Sequence, residues 1–183
     1  MKVSHLIAFM VIAMGCGRKQ GGISPERLTD SLYAVIAADR AVYSNEVVNR
    51  LQGVIAASEH FRDEKTLPLP AQMLRFGAEA VQSRDAGFTY ALLSKWPLNR
   101  QNAPRTDLER RGLDEVSRSG GRFYGEEKLG DRTYFTAVYA DKATTQACAS
   151  CHNESPDSPR HDFKVGDVMG GVVIRIPLAG LAR

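Results

Sequence analysis

The chain has 183 residues, of which 43% are hydrophobic and 25% charged, with 16 Gly and 8 Pro. These proportions describe an ordinary globular domain and exclude disordered, fibrous and low-complexity classes. Its 24 basic and 21 acidic residues are interspersed and leave a formal net charge of +3, so no basic stripe marks a nucleic-acid partner. Three cysteines always leave one unpaired, which excludes a disulfide framework.

Residues 1–15 read as a signal peptide of the lipoprotein type. Lys2 gives a positive start, and Leu6 to Met14 form an apolar core too short to span a bilayer. Ala13-Met14-Gly15-Cys16 resembles a bacterial lipobox, with Ala13 where Leu is usual. Cys16 is therefore the expected lipidated N-terminus, on the periplasmic side of the envelope. Gly17 at the next position directs the expectation to the outer membrane. Residues 16–24, which include GRKQGG, fit a tether, and 25–183 fit a single domain.

Ser24-Pro25-Glu26 is a helix start: a capping hydroxyl, a proline in the first turn and an acid at the positive dipole end. Apolar residues from Leu28 to Ile55 recur at three- and four-residue steps and predict one long amphipathic helix to about Ala57, disturbed at Gly53. Leu67-Pro68-Leu69-Pro70 breaks helicity, and Ala71 to Gln82 predicts a second helix with Leu74, Ala78 and Val81 on one face. After Gly87 the period changes. Phe88 to Trp96 is strand-like, Pro97 to Pro104 is a rigid loop, and Thr106-Asp107-Leu108-Glu109 starts a short helix ending near Gly120-Gly121. Arg122 to Glu127 and Arg132 to Ala140 predict a hairpin around Leu129-Gly130-Asp131, and Val168 to Ile176 a final strand. The class is α+β, with helices first and mostly antiparallel strands after.

Cys148-Ala149-Ser150-Cys151-His152 is CxxCH, the c-type haem attachment signature. Two thiols three positions apart reach the two vinyl groups on one porphyrin edge and form thioethers. The adjacent histidine then binds iron as proximal ligand. One covalent haem c held by Cys148, Cys151 and His152 is the expected cofactor, and an export signal suits it. Two bland readings compete: a CxxC disulfide, and a zinc site joining Cys148 and Cys151 to two of His60, His152 and His161. Pro156 and Pro159 follow the motif closely and forbid helix continuation, so the haem is expected on a loop before the last strand.

Four segments together resemble a c-type haem family of PAS-like extracytoplasmic domains, formerly a domain of unknown function. They are LPLPAQMLRFGAEAV (Leu67 to Val81), SKWPLNRQNAP (Ser94 to Pro104), CASCHNESP (Cys148 to Pro156) and KVGDVMGGVVIRIPL (Lys164 to Leu178). The resemblance spans roughly 28–178. It implies a PAS-like antiparallel sheet with long N-terminal helices and one haem c. Members of that family stand alone or serve as the sensor modules of histidine kinases and chemoreceptors, and some use a cysteine as the sixth iron ligand. With Cys16 acylated and the motif thiols consumed, no thiol remains for that here.

The expected distal ligands are His60 and Met73, with His161 and Met169 less favourably placed. Arg100, Arg105, Arg160 and Lys164 are candidate propionate partners, and Asn99, Arg100 and Asn102 either line the pocket or pin their loop. No nucleophile–base pair or hydrolase motif is present in the sequence. The function read is a lipid-anchored single-haem protein in electron transfer or in redox or gas sensing, with an unidentified redox or signalling partner and no nucleic acid. The alternatives are a zinc- or disulfide-bearing binding module and a peroxidase- or reductase-like haem enzyme.

Overall fold

The structure, a computed structural model, describes residues 22–180. The expected signal peptide, Cys16 and most of the tether lie outside the described residues. Among the described residues, no helix is long and apolar enough to cross a membrane.

The first helix, α1 (Pro25–Val42), begins where the capping signal puts it: Ser24 Oγ accepts from the Arg27 amide at 3.2 Å. It is shorter than the apolar period suggests. After Val42 the backbone widens into a π-helical stretch, Tyr43–Asn49, and the Arg50 amide reaches back five residues to Asn45 O at 3.2 Å. Turns follow to residue 54, with Gly53 at a φ of 93°. Side-chain spacing continued through this region, but spacing cannot report how many residues the backbone puts in each turn. Two two-residue strands, β1 (Ala57–Ser58) and β2 (Leu67–Pro68), pair in parallel around the one-turn helix α2 (Phe61–Glu64).

Helix α3 (Pro70–Ser83) starts with proline in its first turn, and Gln72 Oε1 accepts from the Leu69 amide at 2.9 Å. Strand β3 (Thr89–Leu93) is shorter than expected. Ser94 ends it by donating its hydroxyl to Met169 O at 2.5 Å and accepting from the Trp96 amide at 2.9 Å, which turns the chain away. Helix α4 (Asp107–Ser119) carries a capping box between Thr106 and Glu109 and stops at Gly120, whose φ is 67°. Strands β4 (Arg122–Leu129) and β5 (Arg132–Lys142) form the expected hairpin, helix α5 (Gln146–Glu154) follows, and β6 (Val168–Pro177) closes the fold.

The four-stranded sheet runs β3-β6-β5-β4, antiparallel throughout. On one face Phe135, Ala137, Tyr139, Val172 and Ile174 pack against Leu74 of α3 and Leu32, Tyr33 and Ile36 of α1. On the other, Val138 and Val173 pack against Leu113 and Val116 of α4. The chain is thus α+β in three layers. Gly170, at the start of β6, is needed because a Cβ there would lie 2.5 Å from the Leu93 carbonyl oxygen, an atom that the strand pairing holds in place.

A half-buried charge network ties α4 to the sheet. Arg175 donates from Nη2 to Glu109 Oε1 at 2.5 Å and from Nε to Glu127 Oε1 at 2.8 Å. Glu109 also accepts from the Arg105 and Thr106 amides, and Thr136 donates to Glu127 at 2.8 Å. Burial pushes the Glu109 carboxyl up, but Arg175 and the two amides outweigh it and hold it below its ordinary value near 4.5. The carboxylate therefore contributes its full stability above that value, and the contribution is lost as pH falls through the depressed pKa. Removing one partner of such a network strands the other charge, so Glu109→Ala should destabilise the fold by about 3–5 kcal/mol in urea unfolding at pH 7. The difference from wild type should shrink as the pH is lowered below 4.5; a pH-independent difference would show that the charge network does not carry it.

Candidate functional site: the cleft at helix α5

The CxxCH motif is helical. This corrects the expectation of a loop. Ser155 leaves helical geometry at φ −68° and ψ 127°, just ahead of Pro156, so the prolines do end the helix, but only after the motif is complete. What makes the motif itself helical is burial. Ala149 has no exposed surface and packs against Ala143, Phe163 and Met169, with Trp96 beside them. Positions 148, 151 and 152 stand in an i, i+3, i+4 relation, so they share one face of the helix, turned about a quarter of the way round from Ala149. All three line a large cleft.

The loop after α5 is clamped by Asn153, which donates from Nδ2 to Phe163 O and accepts at Oδ1 from the Phe163 amide, both at 2.9 Å. The His152 ring meets Phe163 edge-on, with centroids 5.7 Å apart, so the imidazole is fixed from behind by an aromatic. Its Nδ1 is buried and has no hydrogen-bond partner. Burial lowers the His152 pKa, with Asp141 pulling it partly back up. A neutral imidazole is the form that ligates metals.

The two thiols differ. Burial pushes the Cys148 thiol up, but the Thr145 hydroxyl, 3.3 Å from Sγ, the Thr145 backbone, and the hydroxyl and backbone of Thr144 outweigh it and set Cys148 below its ordinary value. Cys151 opens onto the cleft, yet the walls around it still push its thiol up, with Glu59, Cys148 and Glu154 adding to the effect.

The cleft measures about 2070 Å³, well beyond the roughly 300–1,000 Å³ of most small-ligand pockets. One wall is the α1 and π-helical stretch through Ile36, Ala37, Arg40, Ala41, Ser44 and Val48; another is the segment Glu59–His60. Arg40 of α1 pairs with Asp141 at the end of β5, closing α1 onto the sheet beside the motif. Sequence reasoning missed this pair because its members lie far apart in the chain and neither belongs to a motif.

The other expected residues divide. His60 is exposed and lines the cleft; Met73 is half-buried and is not among the lining residues. Met169 borders the cleft but is committed to the core beneath α5. His161 is exposed, with Nδ1 2.8 Å from Asn153 O. Arg100 and Arg105 line the cleft near β3. Arg160 is engaged elsewhere, over the Trp96 and Phe163 rings at 4.9 and 4.3 Å and against Asp162 and Asp167. Lys164 is exposed, and its amide donates to Asp167. Asn99 pins its loop by accepting from the Gln101 amide at 2.9 Å, and Asn102 O accepts from the Ser94 amide at 2.8 Å. The two motif cysteines are not joined to each other. Among the described residues, no group of three or more His, Cys, Asp and Glu is gathered as a metal site, so the histidines of the zinc alternative do not converge on the thiols.

A family model described as Tll0287-like matches residues 26–177. The chain belongs to the Tll0287-like family. The crystal structure of the cyanobacterial heme-protein Tll0287 is similar at a TM-score of 0.55 and 19% identity, over 85% of this chain and 98% of that one. At that identity the likeness establishes the fold of the Tll0287-like domain. No curated protein matches the chain.

The asymmetry of the thiols is measurable. In the isolated Tll0287-like chain, Cys148 should alkylate with iodoacetamide at lower pH than Cys151, read peptide by peptide by mass spectrometry. Thr145→Val should move the Cys148 profile upward and leave Cys151 in place. Equal profiles in the wild type would show that the hydroxyl contacts do not act on Sγ.

Proposed function

We propose that this chain is an exported, single-haem c-type protein of redox or sensing function, with Cys148 and Cys151 as thioether donors and His152 as proximal iron ligand. The observation that carries the reading is the common face of these three side chains on α5, opening into a cleft larger than most ligand pockets. The buried, unpartnered His152 Nδ1 adds to it. The described solved relative is a heme-protein, which agrees with this reading. We read the sheet and its helices as PAS-like, and Cys16 as the acylated residue that anchors the domain on the periplasmic side of the outer membrane.

The haem supplies an iron that changes oxidation state. The chain does the rest. Phe163 fixes the imidazole plane edge-on, Ala149 holds the motif face toward the cleft, and Asn153 keeps the following loop from swinging over it. Arg100 and Arg105, both on the cleft, are cations available to carboxylate substituents of a porphyrin, whereas Arg40 is held by Asp141. His60 is the distal ligand of this proposal, being the cleft-lining histidine outside the motif. It sits exposed at the N-terminus of the one-turn helix α2. That setting favours a ligand that can yield its place, and hence sensing through a signalling partner as well as electron transfer to a redox partner.

The pyridine haemochrome of the denatured protein, after acidified-solvent extraction, tests the cofactor. The colour should stay with the protein and be lost stepwise in Cys148→Ser and Cys151→Ser; colour that leaves with the solvent refutes covalent attachment. His60→Ala should convert a six-coordinate ferrous spectrum to one that binds carbon monoxide rapidly, and an unchanged spectrum removes His60 from the iron. Cys16→Ser should abolish labelled palmitate incorporation.

A further inference from the structure

A cluster of tyrosines at the cleft stands outside the residues assigned to the haem above. Tyr124 on β4 and Tyr139 on β5 both donate their hydroxyls to the same atom, Asp30 Oδ1, at 2.5 and 2.8 Å. Asp30 Oδ2 faces Arg122 Nη1 at 3.2 Å. Tyr33 of α1 stacks on Tyr139 with ring centroids 4.0 Å apart and planes 5° from parallel, and the Tyr124 and Tyr139 rings meet edge-on at 6.3 Å. Asp30, Tyr33 and Tyr139 border the cleft, whereas Tyr124 stands on the sheet's edge strand. The rings thus form a continuous line from the cleft wall to the rim of the sheet.

Fastening α1 to the sheet would need one hydroxyl on the carboxylate. Two phenols converging on one carboxylate oxygen, with a guanidinium on the other, make a different device: each O–H already points at a base. Burial works against the Asp30 carboxylate, but the two hydroxyls and Arg122 outweigh it and keep it ionised at neutral pH. The same burial and the same carboxylate raise both phenols, so neither loses its proton alone. A phenol in that setting has its proton acceptor already in place when it is oxidised.

We propose that Tyr139 and Tyr124, sharing Asp30 Oδ1, are a proton-coupled redox pair that gives one electron to a strong one-electron oxidant generated in the cleft when a peroxide reacts there. In the step the phenolic O–H breaks, the electron leaves for the oxidant, which is reduced by one, and the proton binds Asp30. The products are a neutral tyrosyl radical and an aspartic acid. The peroxide source rests on the haem reading above; the redox competence of the pair does not.

Two oxidants separate the two ideas. A photogenerated ruthenium(III) polypyridyl complex needs no haem, and hydrogen peroxide acts through it. Freeze-quenched electron paramagnetic resonance should show a tyrosyl signal with both oxidants in the wild type. It should be lost in the Tyr124→Phe/Tyr139→Phe double variant, which keeps every ring. Radical formation in Asp30→Asn should be about a hundredfold slower, the size of a lost proton acceptor, and its solvent deuterium isotope effect should fall towards one. Should Asp30→Asn fail to fold, Tyr139→Phe alone decides, since it must lower the yield at unchanged circular dichroism. A full signal in the double variant, or none in the wild type with ruthenium, overturns the pair. A signal with ruthenium but none with peroxide in haem-loaded protein overturns its link to the cleft. A negative haemochrome with a positive ruthenium arm overturns the peroxide route and leaves the haem reading as the part that failed.

Discussion

Ala149 is the contact on which the site depends. A methyl group with no exposed surface, set against Ala143, Phe163 and Met169, decides which way α5 is turned, and a helix turned any other way would carry its two thiols and its imidazole together away from the cleft. The helix is only nine residues long, below the length at which isolated helices hold together in water. Its geometry therefore comes from the packing behind it, not from propensity. That packing in turn needs the start of β6, since Met169 lies next to Gly170 and its carbonyl takes the Ser94 hydroxyl. The rear of the site and the end of the central sheet are one structure.

Much of the fold was legible because its signals are local. The Ser24-Pro25 start, the Thr106–Glu109 capping box and the Gly130 turn each involve residues within four positions of one another, and each stands where the sequence puts it. What escaped was set over distance. The π-helical stretch after Val42 keeps the same apolar spacing as the helix before it. The Arg175 network joins four elements, and Arg40 and Asp141 meet across the chain. The motif's helicity escaped for the same reason: Pro156 was visible as a stop, but the burial of Ala149 was not visible as a start. Met73 shows the limit of face assignment. Its helix was found, but which side of α3 would border a cleft depends on where α1 lies, and no period in α3 reports that.

Charge in this protein is arranged in closed pairs rather than in fields. Arg40 with Asp141, Arg122 with Asp30 and Arg175 with Glu109 and Glu127 each tie one element to another across the sheet or its edge. With balanced totals along the chain, this leaves local charge to be set by what is buried, not by the net sign. The pairs at the cleft are thus structural and electrostatic at once. Arg40 cannot turn toward an anion in the cleft without releasing the Asp141 carboxylate, which is close enough to offset part of the lowering of the His152 pKa by burial.

The walls of the cleft differ in how firmly they are held, and this bears on what the proposed haem would experience. The motif wall is backed by core. The α1 wall is pinned by Tyr33 stacking on Tyr139 and by Tyr43 donating to Pro68 O at 2.7 Å. The Glu59–His60 wall rests on a two-residue strand pair, and strands that short have little stability of their own. It is steadied by Gln72 donating to Glu59 O at 2.9 Å and by Phe61 against Phe76 at 5.7 Å, both from α3. Moving His60 would disturb these few contacts and leave the sheet intact. If His152 and His60 hold the proposed haem, the proximal ligand would be fixed by the core and the distal one carried on the least supported wall, so the sixth position would respond first to a change at the iron.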